Sequence, residues 1–269
     1  MIFTAEKKSS VMNFELKNLP DRSKKPRNTG LSMIMDKGLS VREAEDLLSV
    51  AEPYIDVVKL GFGSAFVTPN LENKLSVYRQ ANIPVYFGGT LLESFILRNQ
   101  FEDYLRLLDK YKIEMAEVSD GSIEMPHDVK CNYINTLSKT RKVLSEVGSK
   151  DAEKIIPPYK WIELMKSELE AGSWKVIAEA REGGNVGIYR GTGEVRSGLV
   201  EEILWQINGE NIIWEAPNKT QQVWFIKLSG ANVNLGNIAP NEVLPLETLR
   251  LGLRGDTMMF FYNEMNKKN

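Results

Sequence analysis

Four acidic residues recur in one local setting along the chain from residue 117 onward. They are Glu117 in Ala116-Glu117-Val118-Ser119-Asp120-Gly121, Glu146 in Ser145-Glu146-Val147-Gly148, Glu179 in Ala178-Glu179-Ala180-Arg181 and Glu215 in Trp214-Glu215-Ala216-Pro217. Each lies between small or apolar neighbours at the end of a short apolar run. Solvated loop charges would explain any one of them. Four in register point to a shared mouth, where carboxylates raise one another's pKa unless cations compensate. Cations recur at the same level: Lys37 after Asp36, Lys59, Lys150 after Gly148-Ser149, Arg181, Lys219 after Pro217-Asn218, and Arg254 before Gly255-Asp256. An oxygen-rich mouth suits a hard divalent ion, Mg2+ by preference, and the remaining Lys and Arg suit a phosphate or carboxylate ligand. Glycines in Gly61-Phe62-Gly63-Ser64, Gly88-Gly89-Thr90 and Gly236-Asn237 let backbone N–H groups approach an anion.

Composition narrows the chemistry further. Among 269 residues, 34 Lys and Arg face 36 Asp and Glu, a formal charge of -2. The basic excess usual for nucleic-acid binding is missing. No run of 18 apolar residues offers a membrane span, and the opening MIFTAEKKSSVMNFELK lacks the apolar centre of a signal peptide. Cys131 is the sole cysteine, which fits a reducing, cytoplasmic compartment. With His127 as the sole histidine, a Cys/His zinc site cannot be built. Carboxylates, Lys, Arg and backbone groups must carry any catalysis.

The elements that would position these groups alternate in type. Apolar runs at 31–35, 55–60, 83–87, 115–119, 142–147, 175–179, 211–215 and 232–235 read as strands. Amphipathic segments at 40–51, 70–81, 93–111, 127–140, 158–171, 197–206, 218–228 and 241–253 read as helices. Ser40 and Glu43 have capping-box spacing, and Thr68-Pro69-Asn70 and Pro126-His127-Asp128 suit helix starts. Eight βα units in one chain predict a TIM (β/α)8 barrel, whose active site lies at the C-terminal ends of the strands. An open doubly wound sheet competes, but no G-x-G-x-x-G follows the first strand. The expected organisation is an N-terminal arm over 1–24, a single barrel domain over 25–262 and a tail over 263–269. The glycine-rich stretch 181–198 reads as a mobile lid over the mouth, and 148–158 as a second flap carrying Lys150.

Specific strings then bring a family into view. Met35-Asp36-Lys37-Gly38, Tyr54 to Gly63 (YIDVVKLGFG), Gly88-Gly89-Thr90-Leu91, Ser119-Asp120-Gly121 and Glu146-Val147-Gly148 resemble the phosphosulfolactate synthase family. So do Glu179-Ala180-Arg181-Glu182, Glu215-Ala216-Pro217-Asn218-Lys219, Val233 to Ile238 (VNLGNI) and Leu246 to Thr257 (LETLRLGLRGDT). The resemblance runs in order from about residue 25 to residue 257. Departures are small: Phe62 where Trp is common, Ser149 where Lys can occur, and Gly236 where Ala is usual.

The resemblance implies a barrel enzyme that depends on Mg2+ and adds sulfite to phosphoenolpyruvate, giving (2R)-3-sulfolactate 2-phosphate, the first step of one coenzyme M route. Plant heat-stress relatives share the fold family. By resemblance Lys150 is the catalytic acid that protonates C2, and Glu146 beside it is the second expected catalytic residue. The expected metal ligands are Glu117, Glu146 and Glu179, with Asp120 and Glu215 as substitutes. Lys37, Lys59, Arg181, Lys219 and Arg254, with Gly88, Gly89, Thr90, Gly236 and Asn237, are expected to hold the anionic substrates. Two alternatives stand beside this reading. One is a phosphate-binding aldolase using Lys59 or Lys150 as a Schiff base; the other is a non-catalytic stress-related barrel. Exposed faces of barrel helices commonly support homo-oligomers.

Overall fold

The computed structural model describes residues 13–148 and 156–267. Its eight strands are β1 (Ser32–Asp36), β2 (Val57–Leu60), β3 (Val85–Phe87), β4 (Met115–Val118), β5 (Lys142–Val147), β6 (Ser173–Ala178), β7 (Ile212–Glu215) and β8 (Leu235–Ile238). All the recorded ladders are parallel, in the order β3-β2-β1-β8-β7-β6-β5-β4. The ends of that order meet at the mouth, where the Gly89 N–H donates to Glu117 Oε1 at 2.6 Å across the β3–β4 seam. The helices are α1 (Val41–Ala51), α2 (Ser64–Val67), α3 (Leu71–Gln80), α4 (Gly89–Ile96), α5 (Phe101–Lys110), α6 (His127–Ser138), α7 (Pro158–Glu170), α8 (Ser197–Gln206), α9 (Lys219–Ser229), α10 (Val243–Arg250) and α11 (Gly255–Asn266). This is the expected TIM barrel. Among the described residues, no helix is long and apolar enough to cross a membrane.

Side-chain alternation explains what fills the barrel. Residues two apart on a strand face the same way. Leu31, Met33, Val57, Tyr86, Met115, Leu144, Ile177 and Ile213 form a buried interior cluster. Two positions further along six of the strands stand Lys59, Gly88, Glu117, Glu146, Glu179 and Glu215. An apolar plug therefore lies directly beneath a charged layer. Outward-facing residues such as Ile34, Val58, Phe87, Ala116, Val143, Val176 and Trp214 join a second, larger cluster between sheet and helices.

Several elements differ from the sequence reading. The segment 93–111 is two helices, α4 and α5, parted at Asn99, whose φ is +55°. Strand eight begins at Leu235 rather than Asn232, so Gly236 and Asn237 belong to the strand instead of following it. The preceding Asn234 serves as a clip below the sheet: its Oδ1 accepts from Leu31 N (3.1 Å) and its Nδ2 donates to the carbonyls of Glu210 and Ile212 (3.0 Å each). A further helix, α11, follows α10 and continues past residue 262. The Ser40–Glu43 capping box forms as expected, with Glu43 N to Ser40 Oγ at 3.2 Å and Ser40 N to Glu43 Oε2 at 2.7 Å. Before β1, Arg22 pairs with Glu247 at 2.9 Å, Lys25 with Glu52 at 2.7 Å, and Arg27 with Asp56 at 2.9 Å. These pairs anchor the segment around residues 22–27 to the end of the barrel opposite the mouth.

Candidate active site

The four strand-end glutamates are all buried, as their parity requires. They divide into two roles. One oxygen from each of Glu146, Glu179 and Glu215 lies within 4.8 Å of the others. Glu117 stands beside this group and holds Lys59: Nζ is 2.9 Å from Glu117 Oε2, 3.4 Å from Glu146 Oε2 and 3.8 Å from Glu215 Oε1. Backbone donors orient the acids. Ala180 N–H donates to Glu215 Oε2 at 2.9 Å, and Arg181 N–H to Glu179 Oε1 at 2.5 Å. The Tyr189 hydroxyl donates to the Glu215 carbonyl at 2.6 Å, tying the 181–198 loop to β7.

The electrostatics follow from this crowding. Burial opposes a charge on Lys59, but Glu117 and Glu146, with Tyr86 and Glu215, outweigh it and hold the ammonium well above the ordinary lysine value. Glu215 moves upward mainly through burial, with Glu146 and Glu117 adding to it. Lys59 and the Ala180 N–H pull the other way, and the carboxyl ends at about 7. Burial and then Glu117 raise the Tyr86 phenol, so it stays protonated beneath the charged layer.

Three converging oxygen ligands from carboxylates suit a hard divalent cation. Oxygens around a Mg2+-sized ion stand about 3 Å apart when adjacent and about 4.2 Å when opposite, separations that fall within the 4.8 Å bound on this group. Of the five carboxylates expected as metal ligands, Glu146, Glu179 and Glu215 are brought together. Glu117 is engaged by Lys59 and Gly89, and Asp120 by Lys130 at 2.9 Å.

The expected anion-binding residues are distributed unevenly. Lys59 is at the centre. Lys37 forms an exposed pair with Glu182, linking the loop after β1 to the loop after β6. Arg181 is exposed beside Glu179, in a left-handed backbone conformation with φ +53°. Lys219 starts α9 but pairs with Asp256 of α11 at 3.1 Å, and Arg254 stands at the N-cap position of α11 without a side-chain cap. Gly88 continues the β2–β3 ladder through its N–H to Leu60 O at 2.9 Å. A Cβ on Gly89 would lie 2.1 Å from Ser119 Oγ, so this position must be glycine for the β3 and β4 loops to meet. Thr90 lies in the first turn of α4. Gly236 is internal, and a Cβ there would meet Met33 Cε at 2.6 Å. Asn237, with φ +56°, is buried, and its Oδ1 has no hydrogen-bond partner among the described residues. Lys150 lies outside the described residues. His127 and Cys131 are 3.5 Å apart, one turn from each other on α6 in the helical layer.

Sequence reasoning missed the groups that support the mouth. Asp36 is fully buried and accepts from Lys74 Nζ (3.1 Å), Tyr78 OH (3.0 Å) and the N–H groups of Gly38 and Leu39 (2.9 and 2.8 Å). Glu93 holds the loop after β4 through Ser119 Oγ, Gly121 N (3.2 Å) and Ser122 N (2.8 Å). Lys130 joins Asp120, Glu168 (2.8 Å) and the Glu146 carbonyl (2.6 Å). Gln221 Nε2 fastens the 181–198 loop at the carbonyls of Gly184 (2.8 Å) and Gly193 (3.1 Å). A signal was present: Lys74, Lys130 and Glu168 occupy the apolar stripes of their helices, alongside Leu71 and Leu75, Ile134 and Leu137, and Trp161 and Met165.

A parallel barrel with acids and a lysine converging at the C-terminal ends of its strands is the architecture of a TIM-barrel enzyme. Comparison with solved structures agrees on the fold. 3-Hexulose-6-phosphate synthase from Salmonella typhimurium superposes with a TM-score of 0.55 at 12% identity, covering 83% of this chain and 100% of that one. The model of the (2R)-phospho-3-sulfolactate synthase (ComA) family matches residues 20–256, and the chain belongs to that family. It is similar to the phosphosulfolactate synthase of Bacillus subtilis, 42% identical over 242 residues, spanning 89% of this chain and 96% of that protein. The phosphosulfolactate synthase of Methanothermobacter thermautotrophicus is 39% identical over 245 residues, 89% of this chain and 95% of that protein. A more distant relative is Protein HEAT-STRESS-ASSOCIATED 32 of Arabidopsis thaliana, 21% identical over 259 residues, 86% of this chain and 88% of that protein.

Proposed function

We propose that the protein is a Mg2+-dependent enzyme that adds sulfite to C3 of phosphoenolpyruvate and forms (2R)-3-sulfolactate 2-phosphate. The observation that carries this reading is the convergence of Glu146, Glu179 and Glu215 beside a protonated Lys59, in a chain of this family. Both substrates are anions, whereas the described mouth holds four glutamates around one lysine. Positive charge beyond that of Lys59 would favour binding them. Bound through Glu146, Glu179 and Glu215, Mg2+ would supply that charge and favour electron density on the substrate carboxylate.

The protein's own groups account for the remaining steps. Sulfite needs no activating base near neutral pH, which agrees with a mouth without histidine. As its sulfur bonds to the methylene carbon, the C2–C3 π pair moves toward the carboxylate in an enediolate-like arrangement. The Lys59 ammonium, held charged by its acidic neighbours, offers a fixed donor for that charge. A proton then reaches C2 from an acid, assigned by family resemblance to Lys150. The Schiff-base alternative at Lys59 is disfavoured, because imine formation needs a neutral amine. The non-catalytic alternative gives no reason to bury four carboxylates around one ammonium.

Incubating the purified protein with phosphoenolpyruvate, sulfite and Mg2+ tests the reading. Phosphorus NMR and mass spectrometry should show the sulfonated phosphate ester, and chelation should stop its formation. Lys150→Ala should lose turnover while retaining the fold and Mg2+ binding. A folded wild-type protein that forms no such product sinks the proposal.

A further inference from the structure

Lys59 and the three converging carboxylates share two partners. Lys59 Nζ lies 3.4 Å from Glu146 Oε2 and 3.8 Å from Glu215 Oε1, and both residues belong to the set whose oxygens lie within 4.8 Å of one another. A cation that took Glu146 Oε2, the oxygen facing Lys59, would stand one metal–oxygen bond away from it. The 3.4 Å contact plus that bond length sets a ceiling of about 5.5 Å between ion and ammonium. Both would be buried, where like charges are poorly screened.

The surroundings already give the lysine a partner outside the converging set. Its shortest contact, 2.9 Å, is to Glu117, whose other oxygen is fixed by the Gly89 N–H at 2.6 Å. Gly88 leaves room for the stem, since a Cβ there would lie 3.2 Å from Lys59 Cε. Glu117 is thus a carboxylate outside the converging set, available to keep the ammonium when Glu146 and Glu215 are taken.

Resting on the metal reading above, we propose that the Lys59 ammonium and a divalent cation compete for Glu146 and Glu215. Metal binding would then leave the lysine to Glu117 alone and present it to the anionic substrate. Lys59 gates the metal site as well as contacting substrate, which couples the order of binding: metal first, anion second.

Calorimetric titration of Mg2+ into wild-type protein, K59M and K59R, without substrate, tests the competition. K59M should bind Mg2+ roughly tenfold or more tightly than wild type, because the competing charge is gone. K59R, which keeps the charge, should stay close to wild type. Mg2+ should also raise the thermal midpoint of K59M by several degrees more than that of wild type. Equal or weaker binding by K59M overturns the competition, as does K59R behaving like K59M. Should K59M fold only with cation, refolding yield against Mg2+ replaces the titration. Half-recovery below the wild-type dissociation constant supports the proposal; half-recovery above it, or no recovery, overturns it. A wild-type protein that binds no Mg2+ refutes the metal reading itself, a separate result.

Discussion

Lys130 donates to the main-chain carbonyl of Glu146 at 2.6 Å, so a buried helix lysine fixes the strand segment from which a mouth carboxylate projects. The same ammonium is 2.8 Å from Glu168, with side-chain exposures of only 2% and 1%. Removing one partner of such a pair leaves an uncompensated buried charge. Lys130→Met should therefore cost about 3–5 kcal/mol in urea unfolding. The double variant K130M/E168L should recover a substantial part of that loss, since it replaces the pair by apolar groups. A double variant as unstable as K130M would place the cost elsewhere.

Glu215 makes stability depend on pH with a defined sign. Its folded pKa is about 7, above the ordinary 4.5, chiefly through burial and then Glu146 and Glu117, against Lys59 and the Ala180 N–H. The folded protein binds this proton more tightly than the unfolded chain. The contribution is complete below about pH 4.5 and is lost as pH rises through 7, by at most about 3 kcal/mol. In chelator, wild-type stability should fall between pH 5 and 8 relative to Glu215→Gln, whose profile lacks this component. Parallel profiles would contradict the assignment.

The converging set predicts which carboxylates matter for metal. Glu179→Gln removes one of the three proposed ligands and should weaken Mg2+ binding by at least about 10–100-fold, the loss typical when a ligand's outer-shell support alone is removed. Asp120→Asn alters an acid paired with Lys130 at 2.9 Å, outside the converging set, and should weaken Mg2+ binding far less than Glu179→Gln does. Comparable losses in both variants would show that the ion binds elsewhere.

Gly148 is a steric constraint on Glu179. Its φ is +141°, and a Cβ there would lie 2.5 Å from Glu179 Cβ and 2.9 Å from Trp161 Cη2. Gly148→Ala should destabilise the fold by about 1–3 kcal/mol through overpacking and should weaken Mg2+ binding by displacing Glu179. Unchanged thermal midpoint and Mg2+ affinity would remove this constraint.

Local pattern determined the barrel and the charged layer. Period-two alternation on a strand buried on both sides leaves only the mouth for Glu117, Glu146, Glu179 and Glu215, so their level was legible before any coordinates. Charge on an apolar helix stripe was a weaker signal at Lys74, Lys130 and Glu168, missed in the sequence because a stripe does not name its partner. Tertiary structure alone separated Glu117, held by Lys59 and Gly89, from the three glutamates that converge, and drew Asp120 to Lys130. It also turned Lys37 toward Glu182 and Lys219 toward Asp256. The reason is physical. Hydrophobic periodicity is set by neighbours within a turn or a pleat. The partner of a long charged side chain depends on separations across the barrel between residues far apart in sequence, and on competition among every charge within reach.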